Sequence, residues 1–435
     1  MNLANKAFSV LGRDFFLLFS NLITSIIIAR TLGPEIMGIW VILNTVPSYA
    51  EMLGRTKVDL AAVYFLGKGK YQVGDIALSL NLIAIVTSSL IIVPIMVFFD
   101  PLSAALLKSE VDFYSTYLML ILLVIPLNIL YLNYMYLHVH NEDVKAINAM
   151  ILTRALSMSG GAVLGILFFG FLIPELVACY IGSYILGLGV GVYKSSYRAR
   201  KGPILNFGLL KDLFRYAYKM YLSGLLINLN NYISNMFIIF YGSPSQVTFF
   251  ALAQQFGQIL AKIIDSMNTF IFPSASKKDN DESVIFITKA FRVAIIIMIP
   301  VGILSSIGIY PAVYFLYGSK YLPIVSPFLI LLPGIVFSSI TGTLLIYFMS
   351  SGRPEIITKI LCIPVILQLS LGFWAVPAYG LNGAAAILVL GMMTASCAQV
   401  IIFWYLTKVD FRKRMVVQKD DLITVTGFIR SILKY

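Results

Sequence analysis

Apolar residues run through this chain in unbroken stretches, with polar residues gathered in the short gaps between them, and each stretch has the roughly 20 residues that carry an α-helix across about 30 Å of hydrocarbon. Twelve such stretches can be marked, over 9–29, 36–54, 76–99, 114–137, 147–170, 174–193, 217–241, 247–272, 286–316, 323–349, 356–378 and 383–407. The pattern predicts an all-α polytopic membrane protein. Composition agrees, because 59% hydrophobic and only 12% charged residues leave more apolar surface than a water-soluble fold of 435 residues can bury.

Charge then sets an orientation. If the gaps are assigned alternately to two sides, one side holds Arg30, Lys108 and Lys320, Lys262 lies inside a span, and the other side takes the remaining 28 of the 32 Lys and Arg residues. The positive-inside rule makes the basic side cytoplasmic, which places both termini there and makes the number of spans even. The net charge of +12 is thereby explained by topology and by attraction to anionic membrane lipids, and no nucleic-acid partner is expected. The first span carries Arg13 and Asp14 and lacks a small-residue cleavage site, so it reads as a retained helix. Trp40, Trp374 and Trp404 fall near span ends, where amphipathic rings lie at the membrane interface.

Landmarks recur about 210 residues apart. Pro101 matches Pro311, Pro126 matches Pro333, the turn before Trp40 matches the turn before Phe249, and Gly170 to Pro174 resembles Tyr379 to Gly383. Two six-helix bundles in a parallel repeat follow, with substrate expected between them. The predicted organisation is a first bundle over 1–193, a basic linker over 194–216, a second bundle over 217–407 and an amphipathic tail over 408–435, in which Leu422, Val425, Ile429, Ile432 and Leu433 share one helical face.

Several chemistries are missing. Gly67-Lys68-Gly69-Lys70 has the composition of a phosphate-gripping loop without its spacing. His138 and His140 read as solvated loop residues, and Cys179, Cys362 and Cys397 have no metal-ligand spacing, so neither a metal nor a cofactor is expected. The outer gaps, the longest from Asp100 to Phe113, are too short for the active-site loop of a glycan polymerase.

Ionisable groups inside spans cost about 2.5 to 3.5 kcal/mol each, which directs attention to function. Arg13 and Asp14 are adjacent, about 100° apart around a helix, so they are not expected to pair along one face. Lys262 and Asp265 lie three apart, which fits either a self-neutralising pair or a site. Arg154 lies in span five, Arg215 and Lys219 at the entry to span seven, and Arg55, Lys57 and Asp59 just beyond span two. Asn228, Asn231 and Asn235 share a face of span seven and serve either as interhelical hydrogen-bond glue or as a cavity lining, the shared face favouring the lining. The surplus of cations points to an anionic headgroup, and the apolar surroundings to a lipid tail.

Four segments carry a family resemblance. Ala29-Arg30-Thr31-Leu32-Gly33-Pro34-Glu35-Ile36-Met37-Gly38-Ile39-Trp40, Phe250-Ala251-Leu252-Ala253-Gln254-Gln255, Ser350-Ser351-Gly352-Arg353-Pro354-Glu355 and Tyr379-Gly380-Leu381-Asn382-Gly383-Ala384-Ala385 resemble motifs of the oligosaccharide-lipid flippases of O-antigen and capsule pathways. The resemblance implies a fold like that of multidrug and toxin extruders (MATE) and a place in the bacterial cytoplasmic membrane. It also implies transfer of an undecaprenyl-pyrophosphate-linked glycan to the outer leaflet, beside glycan polymerase machinery. Where the family often has an acidic residue late in helix seven this chain has Asn235, which puts a coupling site there in doubt. On this reading Arg13, Arg154, Arg215, Lys219, Arg55, Lys57, Lys262, Asn231 and Asn235 bind substrate, and Asp14, Glu51 and Asp265 are candidates for ion coupling. A cation-coupled drug exporter of the same fold, a membrane glycan polymerase or ligase, and a noncatalytic scaffold stay open as rivals.

Overall fold

The computed structural model describes residues 3–170, 173–195, 205–275, 279–351, 353, 355–409, 414–418, 420 and 421. Among the described residues thirteen α-helices follow one another: α1 (Leu3–Gly54), α2 (Val58–Gly67), α3 (Val73–Val97), α4 (Phe99–Leu107), α5 (Val111–Ile121), α6 (Val124–His140) and α7 (Val144–Phe169). Then come α8 (Ile173–Lys194), α9 (Phe207–Tyr241), α10 (Pro244–Ala275), α11 (Asn280–Leu316), α12 (Val325–Ser350) and α13 (Glu355–Thr407).

Among the described residues, nine helical stretches are long and apolar enough to cross a membrane. Two of the helices, α1 and α13, run for 52 and 53 residues. At about 1.5 Å per residue each is far longer than a bilayer is thick. Each breaks once, at Gly33 (φ 78°, ψ 171°) and at Gly380 (φ 53°, ψ −127°), backbone angles that a residue without a Cβ takes at little cost. With those two breaks, and with the 35-residue α9, the helical segments match the twelve expected crossings.

Three stretches differ from the sequence expectation. The outer gap after span three is itself helical, forming α4 and a 3-10 turn over Lys108–Glu110. Span four is divided at Leu122 and Leu123, because Pro126 has no N–H to offer the carbonyl of Leu122 and the ladder there tightens to Leu122 N–H to Met119 O and Leu123 N–H to Leu120 O. The chain after Gly54 does not leave as a loop either. It turns through Lys57, whose φ of 59° is left-handed, and resumes as α2, where Asp59 is only 1% exposed.

The chain divides into two compact units, Met1–Leu225 and Leu226–Tyr435. In the first, Ala61, Ala62 and Leu66 of α2 pack with Ile76 and Leu80 of α3 and with Leu209 and Leu213 of α9. The unit boundary therefore falls inside α9, whose first turns belong to the N-terminal core. The C-terminal core is built from α10 to α13 and also takes Val409 and Met415 from the chain beyond α13. That segment is fastened by Asp421, which accepts from Arg292 Nε at 2.6 Å and Nη2 at 3.1 Å, while Arg292 Nη1 donates to the Arg414 carbonyl at 2.5 Å. The proposed tail residues Leu422, Val425, Ile429, Ile432 and Leu433 lie outside the described residues.

The repeat is visible in the backbone. Lys108 and Gly318, and Gly170 and Gly380, all have positive φ, and each pair is separated by the offset seen in the sequence.

Candidate functional site

Arg154 occupies the interior of the N-terminal unit in unusual company. It projects from α7 between Tyr131 of α6 and Tyr184 of α8, with its guanidinium carbon 5.5 Å and 4.6 Å from the two ring centroids. Tyr184 packs edge-on against Tyr180 at 5.3 Å, and Tyr180 against Trp40 at 5.7 Å. A Cβ on Gly187 would lie 3.1 Å from Tyr131 and 3.3 Å from the Cβ of Arg154, so a small residue there lets α8 close on both. No carboxylate lies within 4 Å of Arg154 among the described residues. Ring faces stabilise the charge by about 0.5 to 2 kcal/mol without consuming an N–H, so the planar fork of donors stays available to an oxyanion.

The other cations of this unit are held differently. Arg13 donates to Asp14 through Nε at 2.9 Å and Nη2 at 2.7 Å, and to Asn148 Oδ1 at 3.0 Å. The expectation that neighbours cannot pair is thus corrected: the arginine side chain is long enough to fold back over its own turn. Arg55 bonds Asp59 at 2.7 Å and 3.0 Å, lies 3.6 Å from Glu51, and stacks over Tyr136 at 5.4 Å. Glu51 also accepts from Asn128 Nδ2 at 2.5 Å. Lys57 has no carboxylate within 4 Å among the described residues and lies against Gly224 of α9, where a Cβ would come 2.6 Å from its Cε. Arg55, Lys57, Thr87 and Asn133 help to line a cavity of about 10 Å³, room for one water molecule.

The remaining candidates are scattered. Arg215 is exposed on α9, and the side chain of Lys219 lies outside the described residues. Next to Arg215, Asp212 accepts from Lys70 at 2.6 Å and from Tyr71 at 2.7 Å. The hydrogen bond to Asp212 holds the Lys70 ammonium above its ordinary range, and the same bond draws the Asp212 carboxyl below its own. Lys262 and Asp265 are both exposed on α10. Asn231 is exposed, and Asn228 and Asn235 are half-buried. Their neighbour Asn230 is the buried one, accepting from Gln368 Nε2 through Oδ1 at 2.9 Å and through its carbonyl at 3.2 Å.

His138 needs correction. It is buried, and its Nε2 lies 3.0 Å from the Gly191 carbonyl, because the last turn of α6 packs on α8 instead of entering solvent. Trp40 is buried, its ring edge-on to Tyr180. Sequence reasoning missed Tyr131, Tyr184 and Gln368. The spacing of Tyr180, Tyr184, Gly187 and Gly191 on one helical face was the available signal for the aromatic wall. No group of three or more His, Cys, Asp or Glu among the described residues could hold a metal ion.

The N-terminal unit thus keeps a cation, an aromatic wall and polar side chains among apolar helices long enough to cross a membrane. Comparison with solved structures defines the fold more closely. The lipid II flippase MurJ in an inward closed conformation superposes with a TM-score of 0.75 at 14% identity, covering 97% of this chain and 92% of that one. An inward-facing multidrug resistance MATE family transporter of the MOP superfamily gives 0.75 at 15% identity, covering 91% and 96%. An outward-facing MATE transporter gives 0.63 at 14% identity, covering 93% and 95%. The MATE-like fold expected from the sequence is therefore the fold of this protein. No curated relative matches the sequence. Residues 17–278, more than half of the chain, match the model of the polysaccharide biosynthesis protein family, and the chain belongs to that family.

Proposed function

We propose that this protein is a flippase. It carries an undecaprenyl-pyrophosphate-linked oligosaccharide from the inner to the outer leaflet of the bacterial cytoplasmic membrane by alternating access, for surface polysaccharide synthesis. The observation that carries the reading is Arg154: a guanidinium inside the N-terminal unit, bordered by Tyr131 and Tyr184, with no carboxylate within 4 Å among the described residues. Membership of the polysaccharide biosynthesis protein family supports it, together with a fold like that of the lipid II flippase MurJ. Arg13, Arg55 and Lys57 would supply further positive potential, and an inside-negative membrane potential would favour outward movement of a doubly charged pyrophosphate by roughly 4.6 kcal/mol per 100 mV.

An exporter of cationic drugs on the same fold would instead need interior carboxylates free of cations. In the N-terminal unit Asp14 and Asp59 are each bonded to an arginine, and Glu51 lies between Arg55 and Asn128.

The test replaces Arg154 by Met, which keeps the length of the side chain, in a strain lacking its own flippase. Surface glycan is expected to fall roughly ten- to a hundredfold, the value of one or two charged hydrogen bonds, with lipid-linked glycan accumulating inside and protein level unchanged. Arg154→Lys should restore part of the display. Normal display by Arg154→Met at normal protein level would overturn the reading, and a change in drug resistance without a change in glycan would favour the exporter.

A further inference from the structure

The first turns of α9 have one face in the N-terminal core and one exposed face on which no described residue packs. Leu209, Leu213 and Ala217 are buried. Tyr216 beside them stacks on Tyr64 of α2 at 4.5 Å, and Asp212 is held by Lys70 and Tyr71. On the opposite side Phe207, Lys211, Phe214, Arg215, Tyr218 and Leu222 are all exposed, and at about 100° per residue they fall within an arc of roughly 100°. Aromatic and cationic residues alternate along that arc. No carboxylate interrupts it.

Length says where such a stripe comes to rest. α9 has 35 residues, which at about 1.5 Å each is longer by half or more than the roughly 30 Å hydrocarbon core. The apolar stretch 217–241 accounts for the crossing, so the surplus falls at the Phe207 end. At a membrane surface, rings settle at headgroup level, and lysine and arginine stems lie along apolar surface while their charges reach outward.

We infer that this face of α9 is a docking surface for anionic phospholipid headgroups of the inner leaflet, with Lys211 and Arg215 meeting phosphate and Phe207, Phe214 and Tyr218 lying among the upper acyl carbons. The charge complementarity and the excess length argue for lipid as the occupant. The inference goes beyond the flippase reading and does not rest on it.

The full chain carrying Tyr218→Trp is reconstituted in phosphatidylcholine vesicles that contain brominated phosphatidylglycerol or, in parallel, brominated phosphatidylcholine. The fluorescence of the added indole is the difference from the parent protein. Brominated phosphatidylglycerol is expected to quench it in clear preference to the neutral lipid, and Lys211→Gln and Arg215→Gln should each reduce that preference roughly fivefold, as should high salt. Both substitutions are at exposed positions, and circular dichroism of each variant checks that the helices remain. Equal quenching by the two lipids would overturn the proposal. So would no quenching by either, which would mean that protein or water covers the face. The readout is lipid contact, so either outcome leaves the glycan assay of Arg154 independent.

Discussion

At Arg55 the second span of the N-terminal unit stops, turns through left-handed Lys57 and buries Asp59 against the arginine. At the matching place in the C-terminal unit, α10 runs without interruption past Lys262 and Asp265, which point outward. The contrast extends to the interiors. The N-terminal unit holds Arg154 among tyrosines. The C-terminal unit is tied by neutral groups, Gln368 to Asn230 and Thr341 to Ser396 at 2.9 Å, and its buried ion pair joins α11 to the chain after α13. One helical plan is thus folded twice, once with partly buried cations between its helices and once with its buried cation, Arg292, neutralised by Asp421. The charges are not required by the plan, and departures from local consistency of this kind gather at functional sites.

The sharpest way to break this comparison is Asp59→Ala. It leaves Arg55 with only the longer contact to Glu51, and the loss of one partner of a buried pair should cost about 3 to 5 kcal/mol. Thermal unfolding in detergent should show a large drop confined to the N-terminal unit. An unchanged midpoint would mean that the Arg55 network is solvated and not structural.

A smaller effect, and one confined to acid, is expected at the C-terminal clasp. Burial pushes the Asp421 carboxyl up, but hydrogen bonds from Arg292 and from the Gln418 amide outweigh it and hold it below the usual carboxylate range. A depressed pKa gives stability that is present above the unfolded value, about 3.9, and lost as pH falls through the folded one. Protease cleavage near Arg414 should therefore be constant from neutral pH down to about 4 and rise only below it. Asp421→Asn should be cleaved readily at neutral pH. Cleavage that already rises near pH 6 would show that the pair is not closed.

The smallest change is expected from Gln368→Leu. It removes a donor from Asn230, but it also removes Gln368 Oε1, a buried oxygen that has no hydrogen-bond partner, so the net loss should stay near 1 kcal/mol. A loss as large as that of Asp59→Ala would erase the distinction between the two interiors.

Much of the fold can be read in the order of residues. Span number, the repeat and the breaks at Gly33 and Gly380 follow from the length of apolar runs and from glycine and proline, which act on their own stretch of backbone. The site was legible only as a set of candidates. Arg13, Arg55 and Arg154 look alike in sequence, yet the first two are bonded to carboxylates one and four positions away, and the third is met by rings from two other helices. His138 shows the same limit: a histidine at the end of an apolar run is solvated or buried according to what packs on it.

Hydrophobic run length, the uneven placement of lysine and arginine and the offset between matching turns were sufficient to define a twelve-span, twice-repeated membrane protein, because a bilayer forces each segment to satisfy its own backbone. Which cation keeps its donors free, where the chain after α13 is fastened and which face of α9 stays bare were decided by tertiary packing. Those properties depend on partners brought from distant positions, and no local pattern encodes them.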